Sequence, residues 1–505
     1  MYKLRSPLYL TAALLLSVPH NIWSTEVSID FSSLSSISFP FSTLNRNFGA
    51  SVADIGDIDG DGVIDLAVGA PLESTAVITN STNGNTGAVY ILFMSFNSSI
   101  LSVKNFTRIT DSFNGGPFLT ANSFFGSSIA LYGNKTITVG APGTILGAVY
   151  ILQLNSDGTC NSTVLIRGRF IGNGIEQGGN DYNSSYNGPP LRYQSQFGSM
   201  VANIGDFDGD GITDLAVGAS DASSGIGTVY LLFMMSNGTV RNYSTISQNI
   251  GGGPDFIPFA FFGSSLVRIG DINHDGVPDL LIGISFQGDD NILRSGGYYV
   301  CFMTLQGLIN NYILVNRKGG APFIQNDYCG SSLLRLSDLN HDGIDDVMMG
   351  CPQLDGKSIG RVFISLVPST GHYLSFGYAP HIGDPVEAFL PSGGGFGSAL
   401  SFYGKNLIVS SPAAGSLFFI DYTARVYEIP PPPLPLLAII LSIVSCLICC
   451  GVSIGIFIWR FRRKADDIEA LVLQSNIDIG KKRERKRHRK GDNDIQKVYV
   501  EHYEL

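Results

Sequence analysis

The sequence predicts an all-β fold, a β-propeller, and three observations carry the prediction. The 505 residues include 60 Gly, 31 Phe and 21 Tyr but only 15% charged residues. That is the composition of many short strands joined by tight turns, not of a helical enzyme or a disordered scaffold. One pattern recurs six times at intervals of about 65 to 77 residues. Four of the recurrences enclose an acidic turn of fixed spacing.

Each unit opens on an aromatic-Gly pair: Phe48-Gly49, Phe125-Gly126, Phe197-Gly198, Phe262-Gly263, Cys329-Gly330 (after Tyr328) and Phe396-Gly397. Each closes on a Gly-Ala-Pro-like corner: Gly69-Ala70-Pro71, Gly140-Ala141-Pro142, Gly218-Ala219-Ser220, Gly283-Ile284-Ser285, Gly350-Cys351-Pro352 and Ser410-Ser411-Pro412. A hairpin lies between, and an apolar strand such as Ala88 to Phe93, Ala148 to Leu152, Thr228 to Phe233 or Gly297 to Phe302 follows. One such sheet cannot bury both its faces. Copies stacked radially bury both faces and protect the edges, which is the propeller solution. After Phe396 only about 33 residues precede the proline run, roughly half a blade. The alternating Val27-Ser28-Ile29-Asp30-Phe31, within Glu26 to Phe39, is the candidate outer strand that completes the last blade. The count is six blades, with seven possible.

The acidic turns are Asp57 to Asp65, Asp206 to Asp214, Asp271 to Asp279 and Asp338 to Asp346. Side-chain oxygens stand at positions 1, 3, 5 and 9: Asp57, Asp59, Asp61 and Asp65; Asp206, Asp208, Asp210 and Asp214; Asp271, Asn273, Asp275 and Asp279; Asp338, Asn340, Asp342 and Asp346. Position 7 offers the carbonyl of Val63, Ile212, Val277 or Ile344, and glycine at position 6 permits the sharp turn a hard cation with six to eight oxygen ligands requires. Four calcium ions are expected. Zinc is disfavoured because only His274 and His341, at the non-ligand position 4, accompany the carboxylates, and magnesium prefers fewer protein oxygens. The second and sixth units carry the glycine turns Tyr132-Gly133-Asn134-Lys135 and Tyr403-Gly404-Lys405-Asn406, where no metal is expected.

These Phe-Gly, Asp-x-Asp-x-Asp-Gly-x-x-Asp and Gly-Ala-Pro units, over residues 25–429, resemble the FG-GAP repeats of integrin α subunits. The resemblance implies a β-propeller with calcium in the four loops. It further implies adhesion through the opposite face of the ring and pairing with a β subunit, a membrane glycoprotein. The chain differs from integrins in having six recognisable units where they have seven, no inserted metal-dependent adhesion domain, and no leg domains between Tyr427 and the next apolar segment.

That segment, Leu434 to Trp459, is uncharged and long enough to cross a bilayer as one C-terminal helix. Arg460, Arg462, Arg463 and Lys464 follow and, by the positive-inside rule, stay cytoplasmic. With a signal peptide over 1–24 and a proline-rich stalk over 430–435, the expected protein is type I, its 25–429 ectodomain outside at the plasma membrane or, alternatively, in an endomembrane lumen. Formal charge is −10 overall, yet the tail 460–505 is basic. Its run Lys481 to Lys490 either contacts anionic lipid or sits solvated, and no nucleic-acid partner is expected.

Eight sequons precede the span, at Asn80, Asn97, Asn105, Asn134, Asn161, Asn183, Asn237 and Asn242. Cys160, Cys301, Cys329 and Cys351 allow three full pairings, and sequence does not choose among them. An adhesion or receptor-like module binding a protein or glycan ligand is the leading expectation, with Gly172 to Gln194 a candidate contact loop. A lumenal assembly or trafficking protein and a propeller hydrolase are the alternatives. The chain holds no Gly-x-Ser-x-Gly elbow, His-Glu-x-x-His helix or nucleotide-binding glycine loop, so no enzyme is expected.

Overall fold

Each repeat folds into one four-stranded antiparallel sheet, and six such sheets form the computed structural model. It describes residues 24–38, 47–74, 84–97, 100–170, 187–220, 225–255, 259–288, 294–353, 359–367, 376–379 and 394–429. The chain enters through β1 (Ser24–Ser38). Blade 1 is β2 (Ser51–Gly56), β3 (Asp65–Ala70), β4 (Ala88–Asn97) and β5 (Ile100–Thr110). Blade 2 is β6 (Ser128–Gly133), β7 (Thr136–Ala141), β8 (Ala148–Leu154) and β9 (Cys160–Ile166). Blade 3 is β10 (Phe197–Gly205), β11 (Asp214–Ala219), β12 (Thr228–Met234) and β13 (Val240–Ser247). Blade 4 is β14 (Phe262–Gly270), β15 (Asp279–Ile284), β16 (Gly297–Met303) and β17 (Ile309–Asn316). Blade 5 is β18 (Ser332–Arg335), β19 (Val347–Cys351), β20 (Arg361–Ser365) and β21 (Phe376–Ala379). Blade 6 is β22 (Leu400–Tyr403), β23 (Asn406–Ser411) and β24 (Ser416–Ile429), and its fourth strand is β1, paired antiparallel with β24 from Ser24–Ile429 to Ser38–Ser416. The N-terminal strand expected from the alternation of Val27 to Phe31 therefore closes the ring, and the blade number is six.

Six apolar cores lie between successive sheets, one per interface, the last joining blade 6 to blade 1 through Phe48, Val68, Ile408 and Phe419. The middle strands are buried on both faces, as in the run Leu66 to Val68, and so read as continuous apolar stretches. The phenylalanine that opens every unit but the fifth stacks edge-on against the third strand of its own blade, at 5.5 Å for Phe125–Tyr150 and 5.7 Å for Phe197–Tyr230, and fills the core shared with the preceding blade.

Glycine stands at both ends of the first five repeats for different reasons, and Ser410 takes the corner position in the sixth. The glycine of the aromatic-Gly pair sits at positive φ, 91° at Gly126 and at Gly198, which side chains with a Cβ avoid. The corner glycine lies against the next blade: a Cβ on Gly69 would stand 1.9 Å from the Gly126 carbonyl oxygen. Ser51, Ser128, Ser265 and Ser332 donate across these same junctions to the carbonyls of Gly126, Gly198, Gly330 and Gly397, at 2.7–3.0 Å.

A disulfide joins Cys329 to Cys351, and Cys160 and Cys301 are free and buried. Cys329 occupies the aromatic slot of its unit and Cys351 the corner alanine slot. In blades 3 and 4 those slots are the cross-strand pairs Phe197–Ala219 and Phe262–Ile284. The bond spans 22 residues, so replacing both cysteines by serine is expected to cost about 3 kcal/mol, read as a lower denaturant midpoint. Cys329→Phe with Cys351→Ala should recover part of the loss by restoring the apolar pair, and serine and Phe/Ala variants of equal stability would contradict that.

Residues 24–429 form one compact unit. The segment read as signal peptide, except Ser24, which begins β1, lies outside the described residues, as do the stalk, membrane span and tail, Asn80, Asn183 and most of Gly172 to Gln194. Among the described residues no helix is long and apolar enough to cross a membrane.

Candidate metal loops

All four acidic loops connect the first strand of a blade to its second, and one template builds each of them. Antiparallel sheets with sequential strands place the first-to-second and third-to-fourth connections at one end, so the loops share one face of the ring. Position 1 is the hub. Its carboxylate accepts backbone N–H groups from the residues that turn around it: Gly60, Asp61 and Gly62 onto Asp57 at 2.7, 3.1 and 2.8 Å, and Gly209, Asp210 and Gly211 onto Asp206 at 2.7, 2.9 and 2.8 Å. Asp271 and Asp338 take the corresponding donors Asp275 and Gly276, and Asp342 and Gly343. Position 4 is left-handed throughout, with φ of 84° at Gly60, 80° at Gly209, 59° at His274 and 60° at His341.

Position 5 caps position 7: Asp61, Asp210, Asp275 and Asp342 accept from the N–H of Val63, Ile212, Val277 and Ile344 at 2.8–2.9 Å. Position 9 differs from the rest, because Asp65, Asp214, Asp279 and Asp346 are fully buried. One oxygen of each accepts from the position-2 N–H of Ile58, Phe207, Ile272 or Leu339. The other accepts from the N–H of Met94 within β4, of Met234 and Met303 at the ends of β12 and β16, or of Val367 just past β20. The aspartate thus latches the loop to the blade, while each oxygen keeps a second lone pair. Burial pushes the carboxyls of Asp279 and Asp346 up to about 6 and raises those of Asp65 and Asp214.

Asp57, Asp59 and Asp61 bring carboxylate oxygens within 4.8 Å of one another, as do Asp206, Asp208 and Asp210. Like charges at that range repel by about 1–4 kcal/mol per pair, depending on the effective dielectric. The donor set is oxygen only, and Asp208 Oδ1 is buried with no hydrogen-bond partner, so the residues present fit a hard cation. In the other two loops Asn273 and Asn340 occupy position 3, and their amides donate to Oδ2 of Asp275 and Asp342 at 2.9 and 3.1 Å.

Four basic residues reach these loops, and the spacing of the acidic motif does not announce them; one, Arg335 of β18, pairs with Asp345 at position 8 of the blade 5 loop, away from positions 1, 3, 5 and 9. Lys104 contacts Asp59 at 2.7 Å and also pairs with Asp61, holding the Asp61 carboxyl below the usual range. Arg241 pairs with Asp208 and stands 3.1 Å from Asp210. Lys135, in the glycine turn of blade 2, donates to the Ile58 carbonyl of blade 1 at 2.8 Å. The sequon residues Asn105, Asn134, Asn161, Asn237 and Asn242 are all exposed.

Comparison with known proteins finds similarity over some of these units. A family model described as FG-GAP repeat matches residues 48–92, and one described as FG-GAP-like repeat matches residues 206–282. Phosphatidylinositol-glycan-specific phospholipase D of Bos taurus is 31% identical over 177 residues, 34% of this chain and 20% of that protein. Integrin alpha-2 of Mus musculus is 29% identical over 258 residues, 48% of this chain and 19% of the integrin. Integrin alpha-PS5 of Drosophila melanogaster is 29% identical over 174 residues, 33% of this chain and 16% of that protein. The chain thus spans about a fifth or less of these relatives' lengths.

Proposed function

For a chain built of FG-GAP repeats and similar to integrin α subunits, we propose a cell-surface adhesion or receptor-like function in which calcium rigidifies one face of the propeller and the other face binds a protein ligand. The observation that carries this is the uneven chemistry of the two faces. The acidic loops occupy one end of the blades, where Met235, Leu305 and Leu308 are the exposed apolar side chains on connections, and the connections at the other end carry more of them. Phe118, Tyr193, Phe259 and Ile324 lie between the fourth strand of one blade and the first of the next, and Ile145 between β7 and β8. Phe118 is 79% exposed and Ile145 68%, an arrangement that suits recognition on a rigid scaffold. The Cys329–Cys351 bond fits an oxidising exterior or lumen. The type I topology, the glycans and the membrane-glycoprotein partner belong to the same proposal, and tail contact with anionic lipid is secondary to it.

Cells expressing the tail-tagged full chain are expected to display it at the surface and, on affinity purification in calcium, to yield a co-purifying membrane glycoprotein. Phe118→Ser with Ile145→Ser should weaken adhesion of those cells without lowering the melting temperature. Retention inside the cell would favour assembly or trafficking instead. The name of the phospholipase D relative supports one further reading, hydrolysis, and turnover of a phosphatidylinositol-glycan by the purified full chain would establish it.

Calcium is expected to raise the melting temperature of the full chain over that in chelator, because it binds the folded loops and not the unfolded chain; each site adds about 2.7 kcal/mol at a hundredfold excess over its dissociation constant. Identical melting in calcium and in chelator would remove the metal from the proposal.

A further inference from the structure

The four acidic loops divide into two kinds, and the residues that divide them lie outside the loops. The outer strands β5, β9, β13 and β17 each carry a bulge at one register. Pairing jumps from Phe93–Asn105 to Met94–Val103, from Gln153–Ser162 to Leu154–Cys160, from Phe233–Asn242 to Met234–Val240, and from Phe302–Asn311 to Met303–Ile309. The skipped residues are Lys104, Asn161, Arg241 and Asn310. A bulge re-aims the side chain it carries. In blades 1 and 3 that side chain is basic and reaches positions 3 and 5 of its own blade's loop, through Lys104 onto Asp59 and Asp61 and Arg241 onto Asp208 and Asp210.

Blades 4 and 5 lack this base. Strand β17 contains no Lys or Arg, and neither does the chain from 362 to 404, which includes the outer strand of blade 5. Among the described residues no ion pair reaches Asp271, Asp275, Asp338 or Asp342. In these blades position 3 is Asn273 or Asn340, whose amide serves the position-5 Oδ2, the oxygen that meets Lys104 or Arg241 in the others. A third carboxylate in the turn and a basic bulge therefore occur together, and an amide occurs without the base. Positions 1, 3, 5 and 9 plus the bulged residue carry the same net charge in blades 1, 3 and 4, and the same four positions of blade 5 match those of blade 4.

We propose that Lys104 and Arg241 are tethered counter-cations that compete with calcium, so that the loops Asp57–Asp65 and Asp206–Asp214 bind it more weakly than the loops Asp271–Asp279 and Asp338–Asp346. This rests on the calcium reading above. In the two weaker loops the ammonium or guanidinium leaves its carboxylates before the ion takes them. The base holds the turn together at low calcium, and the metal replaces it at high calcium.

Isothermal calorimetry on the metal-stripped full chain in detergent tests this with calcium alone as the probe. Two strong and two weak sites are expected, and Lys104→Met with Arg241→Met should tighten the weak pair roughly tenfold. The same variant should melt below wild type in chelator and above it in saturating calcium. Lys104→Gln with Arg241→Gln, which keeps a hydrogen-bonding group without the charge, should behave alike and serves if the methionine variant does not fold. Four sites of one affinity, or weak sites unchanged in the charge-free variants, overturn the tethered-cation inference and leave calcium binding intact. No calcium heat in wild type overturns the metal reading, and this inference with it.

Discussion

Asp214→Ala is expected to lower the stability of the propeller by about 2–5 kcal/mol even in chelator. The substitution strands two buried backbone donors, Phe207 N–H and Met234 N–H, which now lie 3.0 and 2.9 Å from the carboxylate oxygens. A buried donor without a partner costs about 1–3 kcal/mol. In a domain this large that corresponds to a melting temperature lower by roughly 2–6 °C. Asp206→Ala, in the same loop, is the contrast. Its carboxylate is exposed and water can take over its three backbone donors, so the loss in chelator should be small while the response to calcium declines. Thermal melts of both variants, with and without calcium, separate the latch from the ligand. If Asp214→Ala melted with wild type in chelator, position 9 would be a ligand only.

Gly140→Ala should be nearly as damaging, by forcing blades 2 and 3 apart. A Cβ at Gly140 would lie 2.0 Å from the Gly198 carbonyl oxygen and 2.3 Å from Ser128 Oγ. The first neighbour is backbone and cannot step aside, and the second is the hydroxyl that bonds to the same carbonyl. Overpacking of this kind costs about 1–3 kcal/mol, and more when backbone must move. Chemical denaturation of the full chain is the measurement. Gly404→Ala is the internal control, since nothing lies within 4 Å of a Cβ there, although its φ of 59° adds some backbone strain. Equal losses in the two variants would mean that the blade junction tolerates separation.

Much of this architecture was legible in the chain because its signals are local. Phe-Gly, the acidic turn and the corner each impose a backbone requirement within a few residues, so their recurrence gave six units, with a seventh blade left open, and set the phase of the four loops. The alternation of Val27 to Phe31 was enough to identify the closing strand. Other features depend on contacts between distant segments. The outer strands β5, β9, β13 and β17 are polar and half-exposed, and their apolar pattern is too weak to place them. Lys104 and Arg241 were hidden for a further reason: strict alternation does not foresee a bulge, and only the bulge turns them toward the loops. The pairing of Cys329 with Cys351 stayed open among three choices. Laying the six units over one another would have shown both cysteines in slots that face each other in blades 3 and 4.

The pairing of β1 with β24 sets a timetable for biosynthesis. The first strand to be made is the last to find its neighbour. About 380 residues of chain separate Ser38 from its partner Ser416, so at ~5–20 residues per second β1 waits on the order of 20–80 s after synthesis. Throughout that interval blade 6 does not exist, the cores beside blades 1 and 5 are open to solvent, and β1 presents free edges to any other nascent strand. Truncated or stalled chains are therefore not smaller propellers but open arcs with adhesive ends.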